Sequence, residues 1–144
     1  MEENELNLLI SEAEEGNTVS QYELGLFYEN GENVEQSYEK AIYWYKQVLK
    51  EYHGGGSDEI TLAAYQLANL YYTGTGVGQS KEKALHLFVK SLESDAEKKI
   101  EEILSDDNEL ALKELEYSKK LFDLGLIDEE DFSLRMAELK KYIY

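Results

Sequence analysis

Apolar residues recur at helical spacing on both sides of glycine-containing turns. Leu24, Phe27 and Tyr28 precede Gly31, and Ala41, Tyr45, Val48 and Leu49 follow it. Leu67, Leu70 and Tyr71 precede Gly74 in the same way, with Ala84, Leu87, Phe88 and Leu92 beyond. Each block therefore predicts two amphipathic helices that reverse direction at the glycine.

The two blocks are copies of one unit. Tyr22-Glu23-Leu24-Gly25-Leu26-Phe27-Tyr28-Glu29-Asn30-Gly31 aligns with Tyr65-Gln66-Leu67-Ala68-Asn69-Leu70-Tyr71-Tyr72-Thr73-Gly74 at an offset of 43. The same offset carries Val34 to Val77, Glu39-Lys40-Ala41 to Glu82-Lys83-Ala84, Tyr45 to Phe88 and Leu49 to Leu92. So many matches in one register mark a duplicated helix pair. Gly31 and Gly74 stand where a helix ends in a left-handed residue, and Val34 and Val77 are placed to plug the gap between the paired helices.

The flanks follow the same logic. Leu6, Leu9, Ile10 and Ala13 share one face of a helix over residues 3–15, a cap for the open end of the first unit that Gly16-Asn17 terminates. Gly54-Gly55-Gly56-Ser57 reads as a flexible connector, and Asp58 as a cap for the next helix. Residues 93–109 form an acidic stretch with a short apolar stripe of Ile100, Ile103 and Leu104. A helix carrying Leu110, Tyr117, Leu121 and Leu124 follows and stops at Gly125. Asp128 then caps a last helix, with Asp131 at its third position and Phe132, Met136, Leu139 and Ile143 as its apolar residues. Two helices in an αα-hairpin thus close the chain.

Leu24, Gly25, Tyr28, Gly31, Val34, Lys40, Ala41, Trp44 and Tyr45 fall on a pattern that resembles the SEL-one-like repeat, a tetratricopeptide-related solenoid unit. Ala63, Leu67, Ala68, Tyr71, Gly74, Gly76, Val77, Lys83, Ala84 and Phe88 repeat the match, so the resemblance covers about residues 13–93. Departures are Ser20 for the first alanine, Asn33 for the second glycine, Ser37 and Ser80 for aspartate, and Leu87 for tryptophan. The resemblance implies an all-α fold: a short right-handed α-solenoid with an N-terminal capping helix and a C-terminal αα-hairpin. Residues 1–93 would hold the cap and two repeats, and residues 94–144 the closing segment. The run Leu121 to Phe132 resembles the short SHOCT-type C-terminal domain; a degenerate third repeat, with Gly125 for Gly74 and Ala137 for Ala84, is the competing reading.

Composition narrows what such a fold does. The 144 residues carry 31 Asp+Glu against 14 Lys+Arg, a formal charge of −17. That balance disfavours direct binding of nucleic acid or an anionic membrane, since both require basic residues to displace counterions, and Arg135 is the sole arginine. With 42% hydrophobic residues the chain nevertheless buries a core. The absence of cysteine removes disulfides and thiolate chemistry, and the absence of proline favours long helices. No positively charged leader or spanning apolar run is present at Met1-Glu2-Glu3, so a cytoplasmic protein is expected.

Candidate chemistry is sparse. His53 and His86 are the only histidines, too few for a catalytic triad partner set or a multi-histidine zinc site. Gly74-Thr75-Gly76-Val77-Gly78 follows a helix instead of a strand and lacks a following lysine, which argues against a phosphate cradle. The expectation is a protein that is not an enzyme and holds no metal or cofactor.

The best candidate surface is a stripe on the first helix of each repeat, where Tyr22, Leu26 and Glu29 align with Tyr65, Asn69 and Tyr72. In a helix-pair solenoid the first helices line the concave side, and tyrosine beside glutamate anchors protein partners well. The plainer alternative is that Tyr22 and Tyr65 pack between repeats. Residues 1–39 hold eleven glutamates and no basic residue, which points to a basic protein partner. The resemblance implies adaptor or scaffold work, and its narrowest form is a bacterial immunity protein inhibiting a cognate toxin. A DNA mimic and a scaffold that oligomerises through its C-terminal hairpin are the alternatives.

Overall fold

The computed structural model describes residues 1–50, 58–91, 96–106 and 108–143. His53, the Gly54–Ser57 connector and Leu92 lie outside them. Among the described residues the chain is all-helical: α1 (Glu3–Glu14), α2 (Thr18–Asn30), α3 (Tyr38–Lys50), α4 (Asp58–Thr73), α5 (Lys81–Ser91), α6 (Ala96–Asp106), α7 (Asn108–Asp123) and α8 (Glu129–Lys140). Each helix from α1 to α6 packs on its sequence neighbour, and α7 and α8 pack together and back onto α5. This is an α-helical repeat solenoid.

The repeat is reproduced bond for bond. Gly31 and Gly74 adopt φ of 69° and 72°, the left-handed turn that satisfies the last carbonyls of α2 and α4. Glu32 N–H then reaches Phe27 O at 3.0 Å, as Thr75 N–H reaches Leu70 O at 3.0 Å. The side chains of Gln36 and Gln79 donate to Glu29 O and Tyr72 O at 2.8 and 2.9 Å, pinning each returning strand of chain to the helix it left. Ser37 and Ser80, two of the departures from the family pattern, keep the function of the aspartate they replace. Their hydroxyls accept from Lys40 and Lys83 N–H at 3.2 Å, capping α3 and α5.

Asn33 has a physical explanation too. It holds φ of 59°, close to the 71° of its counterpart Gly76, and asparagine tolerates that region. Gly76 has a second constraint that Asn33 escapes. A Cβ on Gly76 would collide with Cβ of Tyr38 and stand 3.2 Å from its Cγ, because the turn of the second repeat rests on the start of α3. Asn33, in the first repeat, has no earlier repeat beneath it and is exposed.

Burial follows the expected faces in the first two thirds of the chain. α1 lays Leu9 and Ala13 on Leu24 and Phe27, with Leu6, Ile10, Val34 and Trp44 around them. Two hydrogen bonds latch it: Ser20 Oγ donates to Glu12 at 2.9 Å, and Gln21 Nε2 donates to Ala13 O at 3.0 Å. The larger core runs continuously from Ala41, Tyr45 and Val48 through Leu67, Leu85 and Phe88 to Ile100, Ile103 and Leu104.

The C-terminal third departs from the expectation. Residues 96–106 are a full helix, α6, whose Ile100, Ile103 and Leu104 continue the core. Three helices therefore close the solenoid, not two. The face of α7 is rotated: Ala111, Glu114 and Ser118 are buried, whereas Tyr117 is 41% and Leu124 63% exposed. On α8 the turned-in residues are Asp131, Arg135 and Leu139, with Phe132 and Met136 half-buried, as is Ile143 beyond the helix end. The inward face of α7 carries Glu114 beside His86 and that of α8 carries Asp131 beside Arg135, so neither is the most apolar one.

Candidate protein-interaction site

Tyr22, Leu26, Glu29, Tyr65, Asn69 and Tyr72 are all half-buried, on α2 and α4. The Tyr22 ring lies 6.1 Å from Tyr45, and Tyr65 lies 5.8 Å from Phe88, the equivalent pair one repeat on. Each first-helix tyrosine thus leans on the second helix of its own repeat and presents its remaining edge outward. Asn69 Nδ2 is turned to Tyr65 O at 3.2 Å.

Glu29 and Tyr72 occupy one repeat position with opposite roles. Glu29 accepts a hydrogen bond from the hydroxyl of fully buried Tyr45. Burial first, and then the Glu29 carboxylate, hold the Tyr45 hydroxyl far above the ordinary tyrosine range. In the second repeat Phe88 has no hydroxyl. Tyr72 supplies one instead, donating to Glu102 of α6 at 2.8 Å while its ring sits 6.3 Å from Phe88. That bond, with the Lys99 charge, lowers the Glu102 carboxyl below its usual value.

The glutamates of the N-terminal segment are largely exposed. Glu2, Glu3, Glu5, Glu14, Glu15, Glu32, Glu35 and Glu39 are exposed on and beside α1 and α2. None of the six stripe residues lines the groove of about 830 Å³ formed by α3, α4, α5 and α7.

Sequence reasoning passed over two polar pairs. His86 Nδ1 is 2.9 Å from buried Glu114, with Tyr117 edge-on to the imidazole at 4.5 Å. Arg135, fully buried, faces Asp131 at 3.4 Å. Close to it, burial and then the Arg135 charge lower the Lys90 ammonium from its ordinary value. The spacing Asp131 to Arg135, one helical turn, was the readable signal for this pair. Among the described residues no three His, Asp or Glu side chains gather to hold a metal ion, and no helix is long and apolar enough to cross a membrane.

The duplicated hairpins match a known family. Residues 18–47 and 61–95 each fit the Sel1 repeat model. The two helix pairs are Sel1-like repeats. The fold agrees: the crystal structure of a Sel1 repeat protein from Oxalobacter formigenes superposes with a TM-score of 0.62 at 19% identity. The match covers 95% of this chain and 63% of that one, so this chain spans under two thirds of its structural neighbour. Among curated proteins nothing matches. Sel1 repeats generally mediate protein–protein interaction, and in this chain the repeats are the helix pairs α2–α3 and α4–α5.

Proposed function

We propose that the protein is a non-catalytic interaction module whose acidic N-terminal face engages a basic protein partner. The observation that carries this reading is the run of eleven glutamates without one basic residue over residues 1–39. Crowding like charges opposes folding, and a charge of magnitude ~2–8 suffices for solubility, so −17 has a use beyond keeping the chain dissolved. Tyr22, Leu26, Glu29, Tyr65, Asn69 and Tyr72 form the contact stripe beside it, where half-buried rings offer area at little entropic cost. The narrowest form of the proposal is a cytoplasmic bacterial immunity protein masking a basic toxin, a setting in which electrostatic steering speeds capture.

The test is recovery of the partner from the native host, followed by titration of the complex with salt. A basic partner whose association slows as the Debye length shrinks from about 10 Å at 0.1 M to about 3 Å at 1 M supports the proposal. A neutral or acidic partner bound indifferently to salt overturns it.

A further inference from the structure

Lysines converge where the rest of the surface is acidic. The groove between α3, α4, α5 and α7 takes Lys46, Lys83, Lys113 and Lys120 into its wall, four of the chain's fourteen Lys+Arg, but only three of its thirty-one Asp+Glu. One of those three, Glu114, lies 2.9 Å from His86 Nδ1, and of the four lysines Lys113 faces Glu109 at 3.7 Å. Lysines thus outnumber carboxylates in this wall by one, on a molecule that is strongly anionic elsewhere.

Its construction depends on repeat stacking. Lys83 holds its ammonium 5.3 Å from the centre of the Tyr71 ring, as Lys40 does over Tyr28 in the first repeat. The second repeat adds a lysine from the repeat before it: Lys46 reaches across from α3 to the same Tyr71 ring at 6.0 Å. Among the described residues neither Lys46 nor Lys83 makes an ion pair. Two like charges held over one ring repel each other, and a shared carboxylate relieves that repulsion. On α7, Lys113 and Lys120 are two turns apart, so both ammonium groups lie along one side of the groove. Buried Leu67 and Leu87 supply an apolar floor.

We propose that this groove receives an acidic peptide segment of a protein partner. Its carboxylates meet Lys46, Lys83 and Lys120, and an apolar side chain between them rests on Leu67 and Leu87. A peptide is favoured over a nucleic acid because a polyanion longer than the groove would meet the surrounding −17. The surface is separate from the acidic face, so the module would grip one partner at two points of opposite charge, or two partners at once.

Selection from a displayed library of random short peptides on the full chain, with Lys46→Gln/Lys83→Gln and Lys113→Gln/Lys120→Gln as counter-selections, tests this. Lys140→Gln, on the exposed side of α8, is the control. The peptides lost on either groove variant, and kept on the control, are expected to be rich in Asp and Glu with an apolar residue among them. Their affinity should fall about tenfold for two neutralised contacts. The proposal is overturned if the lysine-dependent peptides are neutral or basic, or if both groove variants retain the wild-type set. It also fails if a random single-stranded oligonucleotide binds through the same lysines more tightly than any peptide. Circular dichroism melts of the variants show that each is folded, and the two lysine pairs sit on different helices, so a fault in one leaves the other informative.

Discussion

The ring of Tyr45 fills the space that a side chain at residue 25 would need. A Cβ on Gly25 would stand 2.6 Å from Cδ1 and 3.1 Å from Cζ of that ring, and closer still to Cε1. In the second repeat the corresponding pair is Ala68 beside Phe88, both fully buried, so the tighter approach goes with the hydroxyl that ties Tyr45 to Glu29.

Gly25→Ala gains about 1 kcal/mol of helix propensity and loses roughly 1–3 kcal/mol to overpacking. A net loss of up to about 2 kcal/mol is expected from urea unfolding. In a Tyr45→Phe background the ring is free to shift as Phe88 does. The double-mutant cycle should then show coupling of about 0.5 kcal/mol or more.

Tyr45 also gives the fold an alkaline limit. Its hydroxyl is raised above the unfolded value of ~10, so the stabilisation is fully present below about pH 10 and is lost as pH rises beyond it. The unfolded chain ionises this residue while the folded chain keeps its proton, which costs about 1.4 kcal/mol per pH unit. Urea midpoints measured between pH 9 and about pH 11 should fall less steeply for Tyr45→Phe than for the wild type.

The contact of Gly76 with Tyr38 separates two positions that the repeat makes equivalent. Gly76→Ala combines left-handed strain with a collision against backbone-proximal atoms and should cost about 2–4 kcal/mol. Asn33→Ala bears only the strain, about 1–2 kcal/mol, and Asn33→Gly should be close to neutral. Thermal melts of the three variants rank them directly.

Removing Arg135 leaves Asp131 buried without the charge it faces. Arg135→Ala is expected to cost about 3–5 kcal/mol, whereas replacing both with apolar residues of similar volume should recover most of the loss. Denaturation of the single and double variants distinguishes a stabilising pair from one that only forbids its own disruption.

The helix pairs and their turns were legible because period, glycines and the offset of 43 all describe local geometry, which Gly31 and Gly74 obey. The faces of α7 and α8 were not legible. A search for the most apolar stripe cannot see that Glu114 finds His86, twenty-eight residues away, or that Arg135 is turned inward by Asp131. Tyr22 and Tyr65 were found as a repeated pattern, but their leaning on Tyr45 and Phe88 depends on the crossing of two helices. The lysine groove left no trace in the sequence, since Lys46 and Lys83 come from different repeats and meet over Tyr71 only once those repeats stack.

The exchange of a hydroxyl between repeats changes how far each bond reaches along the chain. The Glu29–Tyr45 bond spans sixteen residues, whereas Tyr72 reaches thirty residues on to Glu102. The first bond closes within one helix pair and the second ties a helix pair to the helix that follows it, so a chain cut after α5 would keep the one and lose the other.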